Sequence, residues 1–403
     1  MRAGPSQEEI RRHNLGVLLR SVHVNGAVSR AELTASLGLN RSTIGALTAE
    51  LSAAGLVTEE IPRDRGRAGR PSLVVRPSSH LVYVLAFTIE VDRVTAARVG
   101  LGGLVLDRRE APREPGERPP AEVVAPLAGF ATEMSRAAGP TARNIGSGAA
   151  ITVLARQRDG LVRQAYGSWG TEPLGTALAA ALEPVIGADL PISVRSGASL
   201  AALAEHTRGV AVGCPNVIYL HGDGGIGGGV IAADRPVTGH GGNGGEVGHM
   251  VVDVAGRQCC CGSRGCWETE IGEYALLAAA GRPTGSGRAG VVAVVDAASR
   301  GDAEAKAAVR QVGDWLGFGV ANLVNIFNPE MVIFGGTLRE LYLASAAQVR
   351  SRLNRNSLAG YRDHVRLRTS ALGDDSLLLG AAELGFDRLL MDPLADPLEP
   401  APG

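Results

Sequence analysis

The sequence predicts an α/β protein in two unlike parts: a winged helix-turn-helix over residues 1–77, then a longer domain of alternating strands and helices. Three observations predict it. Three apolar stripes at helical spacing crowd into residues 8–54. An arginine- and glycine-rich segment, Arg63 to Pro71, lies between two short β runs. After Ser78 the pattern changes to strands alternating with helices.

In the first part, Ile10, Leu15, Leu18, Leu19 and Val22 form the stripe of a helix that Asn25-Gly26 ends. Ser29 to Glu32 has the spacing of a capping box, and Leu33 and Leu37 give a second helix its inner face. Gly38 supplies the turn. Asn40 caps a third helix, lined on one side by Ile44, Leu47, Leu51 and Ala54. Two short helices about a glycine-containing turn make a helix-turn-helix. Residues at the two helix starts, Ser29, Arg30, Asn40, Arg41, Ser42 and Thr43, are expected to face phosphates and base edges. Gly55 closes the third helix, Leu56-Val57 opens a strand, and Ser72–Arg76 returns as its partner. Between the strands, Arg65, Arg67 and Arg70 stand on a narrow Gly-Arg-Pro segment that fits a minor groove. Charge agrees with this reading. Residues 1–72 hold ten arginines against seven acidic residues, whereas the whole chain has a net charge of −1.

A chain of 403 residues, 45% hydrophobic, is long enough for two or three domains with buried cores. Its first residues lack the pattern of a signal peptide, and no apolar run reaches the roughly 18–20 residues of a membrane span. A cytoplasmic location and no membrane partner are therefore expected. Lys306 is the sole lysine, a bias that with abundant Ala and Gly matches a high-GC genome.

In the longer part, Leu81–Glu90, Val94–Val99 and Gly103–Asp107 read as a three-strand meander, and Asp107–Ala121 as a polar connector. Helices follow near 121–137 and 173–186, with a buried strand at Ile145–Val153. A second set begins near Pro191, with strands at Val217–His221 and Gly228–Ala232. The expected division is a first lobe over 78–190, with a helix at 376–391 packing back on it, and a second lobe over 191–375. A Pro-rich tail, 392–403, is expected to be disordered. Gly222 to Gly227 matches G-x-G-x-x-G, but an apolar β run follows where a dinucleotide fingerprint needs a helix. The segment is therefore read as a glycine-rich β-turn.

Four of the five cysteines, Cys259, Cys260, Cys261 and Cys266, fall within eight positions. In a cytosolic chain such a cluster suits a metal better than a disulfide. Thiolates of Cys259, Cys261 and Cys266 with the His249 imidazole complete a closed tetrahedral shell, the pattern of structural zinc. Cys260 is expected to point away from its neighbours.

Glu246 to His249 reads E-x-G-H, and Cys259 to Glu268 reads C-x-C-G-x-x-G-C-x-E. This pairing resembles the ROK family of sugar kinases and sugar-responsive repressors. Further similarity lies at the glycine turn 224–229, Asn322–Glu330, Gly335-Gly336 and Leu379 to Ala382. A winged helix ahead of such a domain resembles the regulator branch of the family. The resemblance implies a two-lobed, actin-like (sugar-kinase-like) fold, a zinc site built from the four residues above, and sugar contacts at Glu246, His249 and Glu268.

Kinases of that family open the domain with a glycine-bearing phosphate loop. Ala86 to Arg93 stands in its place without a glycine, and bulky side chains there bar the close backbone approach that phosphate requires. At the family's N-D-A-N segment, Ser196 and Gly197 replace Asn and Asp. Gly197 holds the general-base position and cannot accept a hydroxyl proton. Asp223 adds a repelling charge to the glycine turn. The chain is expected to be no enzyme. It is read as a homodimeric or tetrameric regulator that binds an inverted-repeat operator in double-stranded DNA and answers to a small-molecule effector such as a sugar. Ser196, Gly197, Glu246, His249 and Glu268 are the expected ligand positions. Glu246 and Glu268 also admit a second role, as groups that only support the zinc loop. A regulator that has lost sugar binding, and an active kinase with a DNA-binding appendage, are the competing readings.

Overall fold

The computed structural model describes residues 6–61, 72–114, 119–152, 154–156, 162–164, 174–187, 190, 192–242 and 244–395. It begins with α1 (Gln7–Asn25), β1 (Val28–Ser29), α2 (Arg30–Leu37), α3 (Arg41–Ala53), β2 (Val57–Glu60) and β3 (Val74–Pro77). Local capping sets the helix starts. Ser29 Oγ accepts from the Glu32 amide while Glu32 accepts from the Ser29 amide, and Asn40 Oδ1 accepts from the Thr43 amide at 2.8 Å. Leu15, Leu18, Val22, Leu33, Ile44 and Leu51 are all buried in one core. The strands form an antiparallel sheet in the order β1-β3-β2. The sequence gives no sign of β1, because Val28 and Ser29 become a strand only when Val75 and Val74 lie alongside. The segment carrying Arg65, Arg67 and Arg70 lies outside the described residues.

Next come β4 (Val82–Ile89), β5 (Arg93–Gly100), β6 (Leu104–Pro112), α4 (Pro120–Ala138), β7 (Arg143–Ile151), β8 (Leu154–Arg156), β9 (Val162–Gln164), α5 (Leu174–Ile186), β10 (Ile192–Ser196) and α6 (Gly197–Arg208). β8 and β9 pair with each other; the other strands form a sheet in the order β10-β7-β4-β5-β6. β4 is buried on both faces, which is why it reads as an unbroken apolar run. Leu85, Phe87 and Ile89 face the core made by α4 and α5, while Val84 and Ala86 face the opposite one.

Two expectations are corrected here. β6 continues to Pro112, paired with β5 throughout, so the connector is shorter than Asp107–Ala121; a half-exposed strand rich in Arg and Glu shows no apolar period. The lobe boundary at 191 falls one strand early. β10 pairs in parallel with β7, and a parallel partner reached through a long crossover leaves no local signal.

The chain continues through β11 (Val217–Gly222), β12 (Ile226–Ala232), β13 (Arg235–Pro236), α7 (Glu268–Ile271), α8 (Glu273–Ala279), α9 (Gly287–Ser299), α10 (Ala303–Phe327), β14 (Met331–Gly336), α11 (Thr337–Asn356), α12 (Ala359–Arg362), β15 (Arg366–Thr369) and α13 (Ser376–Met391). Gly222 pairs with Ile226 across an antiparallel hairpin, the turn expected in place of a dinucleotide loop. The second sheet, in the order β13-β12-β11-β14-β15, repeats the first. In each, a lead strand (β4 or β11) has an antiparallel hairpin on one side and two parallel strands on the other. The turns that follow the two lead strands meet across a cleft.

α13 packs on β7 and β4 and along α6. A Cβ on Gly148 would overlap the Ala381 carbonyl oxygen, and one on Gly380 the Leu200 carbonyl oxygen, so both positions require glycine. The far end of α13 reaches α1, where a Cβ on Gly16 would stand 2.8 Å from the Leu390 carbonyl oxygen. The N-terminal core is continuous there with the core beneath the first sheet. The first residues of the tail expected to be disordered, 392–395, are instead placed against the fold. The Asp392 amide donates to the Arg388 carbonyl at 3.1 Å and Leu394 packs against the same core, while residues 396–403 lie outside the described residues. No described helix is long and apolar enough to cross a membrane.

Candidate functional site

Glu246 opens a short 3-10 turn that ends at His249, and the loop beyond it carries the cysteines. Two anchors shape that loop. The Cys259 amide donates to the Ser263 carbonyl at 2.8 Å, and the fully buried Trp267 donates its indole N–H to the Trp315 carbonyl at 2.9 Å. Ligand atoms of His249, Cys259, Cys261 and Cys266 all lie within 4.8 Å of one another. His249 Nδ1 is 3.7 Å from Cys259 Sγ, and the Cys261 and Cys266 sulfurs are 3.6 Å apart. A tetrahedron with metal–sulfur bonds of about 2.3 Å has edges of about 3.8 Å, so the four residues fit a metal ion. Burial pushes the Cys259 and Cys266 thiols up, and that of Cys260 up to about 11. Buried thiols of this kind ionise together only beside a cation.

Cys260 does not point away as expected. Its Sγ lies 3.3 Å from Glu268 Oε1 and 3.9 Å from Cys259 Sγ, because both neighbouring thiols turn toward the one carboxylate. Glu268 is also held on its other side, where Oε2 accepts from the Ile226 amide at 3.4 Å.

The structure divides the five expected ligand positions. Ser196, Gly197 and Glu246 line one cavity, together with Thr152, Asp223 and the turn at 225–227. Glu268 lines a neighbouring cavity of about 520 Å³ with Cys260, Thr269 and Tyr274, which shares the wall at Gly225. His249 turns Nδ1 to the thiols, so a ligand contact there must use Nε2.

Across the cleft, Glu90 is tied to Arg93 by two bonds of 3.0 and 2.8 Å and accepts from Thr88 at 3.0 Å. Val91 packs on Gly224, where a Cβ would stand 2.5 Å from Val91 Cγ2. Asp223 spans the gap. Its Oδ2 accepts from Thr152 Oγ1 at 2.9 Å and from the Val91 amide at 3.4 Å. A carboxylate of the protein thus takes a backbone N–H of the kind that a phosphate loop presents to its ligand. The adjoining cavity, about 150 Å³, has Glu90, Asp92, Asp223, Glu273 and Asp374 on its wall. Both arginines among the described residues of its wall are engaged, Arg93 with Glu90 and Arg288 with Asp374 at 2.6 Å. Sequence reasoning missed Thr152, His221 and Leu377 in these walls. Thr152 and His221 lie at strand ends and Leu377 at a helix start; His221 adjoins the glycine turn and Leu377 stands just before Leu379 to Ala382, but neither pattern assigns these residues a role.

In the N-terminal part, Arg41 and Ser42 are exposed at the start of α3 and Thr43 is half-buried. The Ser29 and Asn40 side chains serve as caps. Arg30, expected to meet DNA, makes a two-pronged pair with Glu59 at 2.5 and 2.6 Å that ties α2 to β2.

Gly197 begins α6, where a Cβ would stand 2.5 Å from Thr152 Cγ2 and 3.1 Å from Leu377 Cδ2. Gly197→Asp is therefore expected to lower stability by about 1–3 kcal/mol in chemical denaturation. It is also expected to yield no ATP-dependent phosphorylation of D-glucose, since Asp223 already holds the Val91 amide and Thr152 across the cleft. Turnover in this variant contradicts that reading of the cleft.

Residues 85–387 match the model of the ROK family. The chain is 26% identical over 386 residues to the xylose repressor of Bacillus subtilis, covering 95% of this chain and 97% of the relative. A solved ROK family transcriptional regulator, a homologue of the Escherichia coli MLC protein, superposes with a TM-score of 0.73 at 24% identity over 96% of this chain and 98% of that one. The ROK hexokinase of Thermus thermophilus superposes with a TM-score of 0.59 at 28% identity, over 76% of this chain and 99% of its own. With the repeated sheets, the Glu246–His249 turn and the cysteine loop all within the matched span, this chain belongs to the ROK family.

Proposed function

We propose that this chain is a sugar-responsive transcription regulator, in which a winged helix-turn-helix binds DNA and the ROK domain senses a ligand without transferring phosphate. The observation that carries it is the Asp223 carboxylate bound to the Val91 amide and Thr152, on the phosphate side of a cleft that keeps Ser196, Gly197 and Glu246 together. Sensing needs the second half of that cleft and not the first. A relative aligned over nearly the whole chain is a xylose repressor, so a pentose is the first sugar to test.

In this reading α3 is the recognition helix, with Arg41, Ser42 and Thr43 toward the major groove, and β2 and β3 flank a wing whose Arg65, Arg67 and Arg70 reach the minor groove. Two copies related by a two-fold axis bind an inverted repeat. His249, Cys259, Cys261 and Cys266 hold one structural zinc, which fixes the loop between Glu246 and Glu268 and leaves no open coordination position. The bonds that Glu268 accepts from the Cys260 thiol and the Ile226 amide favour a supporting role for that residue, which leaves sugar recognition to Ser196, Gly197, Glu246 and Nε2 of His249.

Cys261→Ser is expected to lower zinc from about one ion per chain and to lower Tm, whereas Cys260→Ser keeps the metal. Elemental analysis that finds no zinc in wild-type protein purified without chelator removes the metal from this reading.

Selection of bound fragments from genomic DNA is expected to return an inverted repeat, with half-sites about one helical turn apart or a multiple of it. Arg41→Ala relaxes its sequence preference by about 1–3 kcal/mol at one position, and Arg70→Ala flattens the salt dependence by about one unit. Binding of all fragments alike, or of a single half-site by a monomer, contradicts the regulator reading.

A further inference from the structure

Two helices run side by side from the cleft to the N-terminal part. α6 starts at Gly197, in the cavity that holds Ser196 and Glu246, and runs for twelve residues to Arg208. At about 1.5 Å per residue it spans roughly 17 Å. α13 starts beside the same cleft, where Leu377 shares a cavity wall with Asp223, and ends against α1. The helices touch backbone to backbone at Gly380 and Leu200. They are also braced near the start of α13, where the fully buried Glu205 accepts from Ser370 Oγ at 2.5 Å and from the Leu372 amide at 2.9 Å.

At the far end, side chains from three helices form a buried knot. Arg208 Nε donates to Glu383 Oε1 at 2.6 Å. The same guanidinium donates to the carbonyls of His23 in α1 and Gly102 in the β5–β6 turn, both at 3.0 Å. His23 Nε2 lies 3.2 Å from each Glu383 oxygen, and the Gly102 amide donates to His23 Nδ1 at 3.0 Å. Because Nδ1 accepts, the ring proton sits on Nε2 and His23 donates to Glu383. The His23, Glu383 and Arg208 side chains are 0%, 7% and 12% exposed. Burial alone would raise the Glu383 carboxyl, yet the His23 hydrogen bond and the Arg208 guanidinium hold it below the usual carboxylate range. A buried charge held this way tolerates little displacement of its partners. One point therefore ties α1, the first sheet, α6 and α13 together.

We propose that the α6–α13 pair and the Arg208–Glu383–His23 knot carry the state of the cleft to the N-terminal part, with Arg208 as the positioning residue that converts movement of α6 into reorientation of α1. The biological meaning of this link rests on the regulator reading, but its test does not. The rival role, a knot that only stabilises the chain, predicts additive effects of substitutions at its two ends.

The test is a double-mutant cycle in the full chain, read by amide hydrogen exchange without sugar or DNA. Gly197→Val forces a branched side chain against Thr152 and Leu377 at the start of α6. Relative to β14 amides as an internal reference, it is expected to change exchange of Leu18 to Asn25 in α1 by about fivefold or more. In an Arg208→Met background, the same change at position 197 is expected to leave α1 exchange within about twofold of Arg208→Met alone. Arg208→Lys keeps the charge but loses the fork that reaches three acceptors; it is expected to fall between the two and replaces the Met variant if that one does not fold. Equal effects of Gly197→Val on α1 with and without Arg208 overturn the proposal. So does an unchanged α1 when amides 196–200 respond. A chain that shows the coupling but binds no sugar by calorimetry keeps the link and loses the sugar reading, whereas sugar binding without the coupling removes the link alone.

Discussion

Helix α13 lies so close to β7 that Gly148 and Ala381 leave no room for a side chain between them. The placement of the other parts follows from that contact. With α13 seated on one face of the first sheet, α4 and α5 must cover the other, and β4 is buried on both sides. The start of α13 sets Leu377 at the cleft, and its end sets Leu390 against Gly16 of α1. One helix thereby fixes both the cleft and the N-terminal part of the chain. A methyl group at Gly148 or Gly380 would separate backbones that the fold needs in contact, a cost of the overpacking kind that cores seldom absorb.

In the proposed function, a kinase-like frame serves recognition without chemistry. Removing a general base commonly costs 10²–10⁴ in rate, about 3–5 kcal/mol of barrier, and leaves much of the binding surface intact. Closing the phosphate side is a different kind of change. Val91 occupies the space beside Gly224, and Asp223 takes the Val91 amide together with Thr152, so two lobes that would part around a nucleotide are bonded to each other. The acidic wall of the adjoining cavity opposes a polyphosphate by charge as well as by space. These features reinforce one another, and restoring one alone does not restore the others.

What the sequence makes legible is what lies close together along it. The caps at Ser29 and Asn40 act over three residues, the glycine turn at 222–227 lies between two strands of one hairpin, and His249 is only ten residues from Cys259. Each carries its own partner in the surrounding text. The missed features join residues that only the fold brings near. His23 and Glu383 are 360 positions apart, and neither residue type announces a buried pair. Arg30 reads as a free cation until β2 brings Glu59 beside it. Cys260 turns to Glu268 because a carboxylate stands there, which the spacing of the cysteines does not reveal. β10 reads as the start of a second lobe because its partner, β7, lies beyond a long crossover.

Sensing without catalysis is tested most directly by titrating operator DNA with the full chain, with and without a saturating sugar. The sugar is the best binder by calorimetry among D-xylose, D-glucose and N-acetyl-D-glucosamine. Occupancy of the cleft is expected to change DNA affinity by about 5–150-fold, with no sugar phosphate formed when ATP is added. Equal DNA affinity in the two titrations, under conditions where calorimetry shows the sugar bound, contradicts a cleft that reports to the N-terminal part.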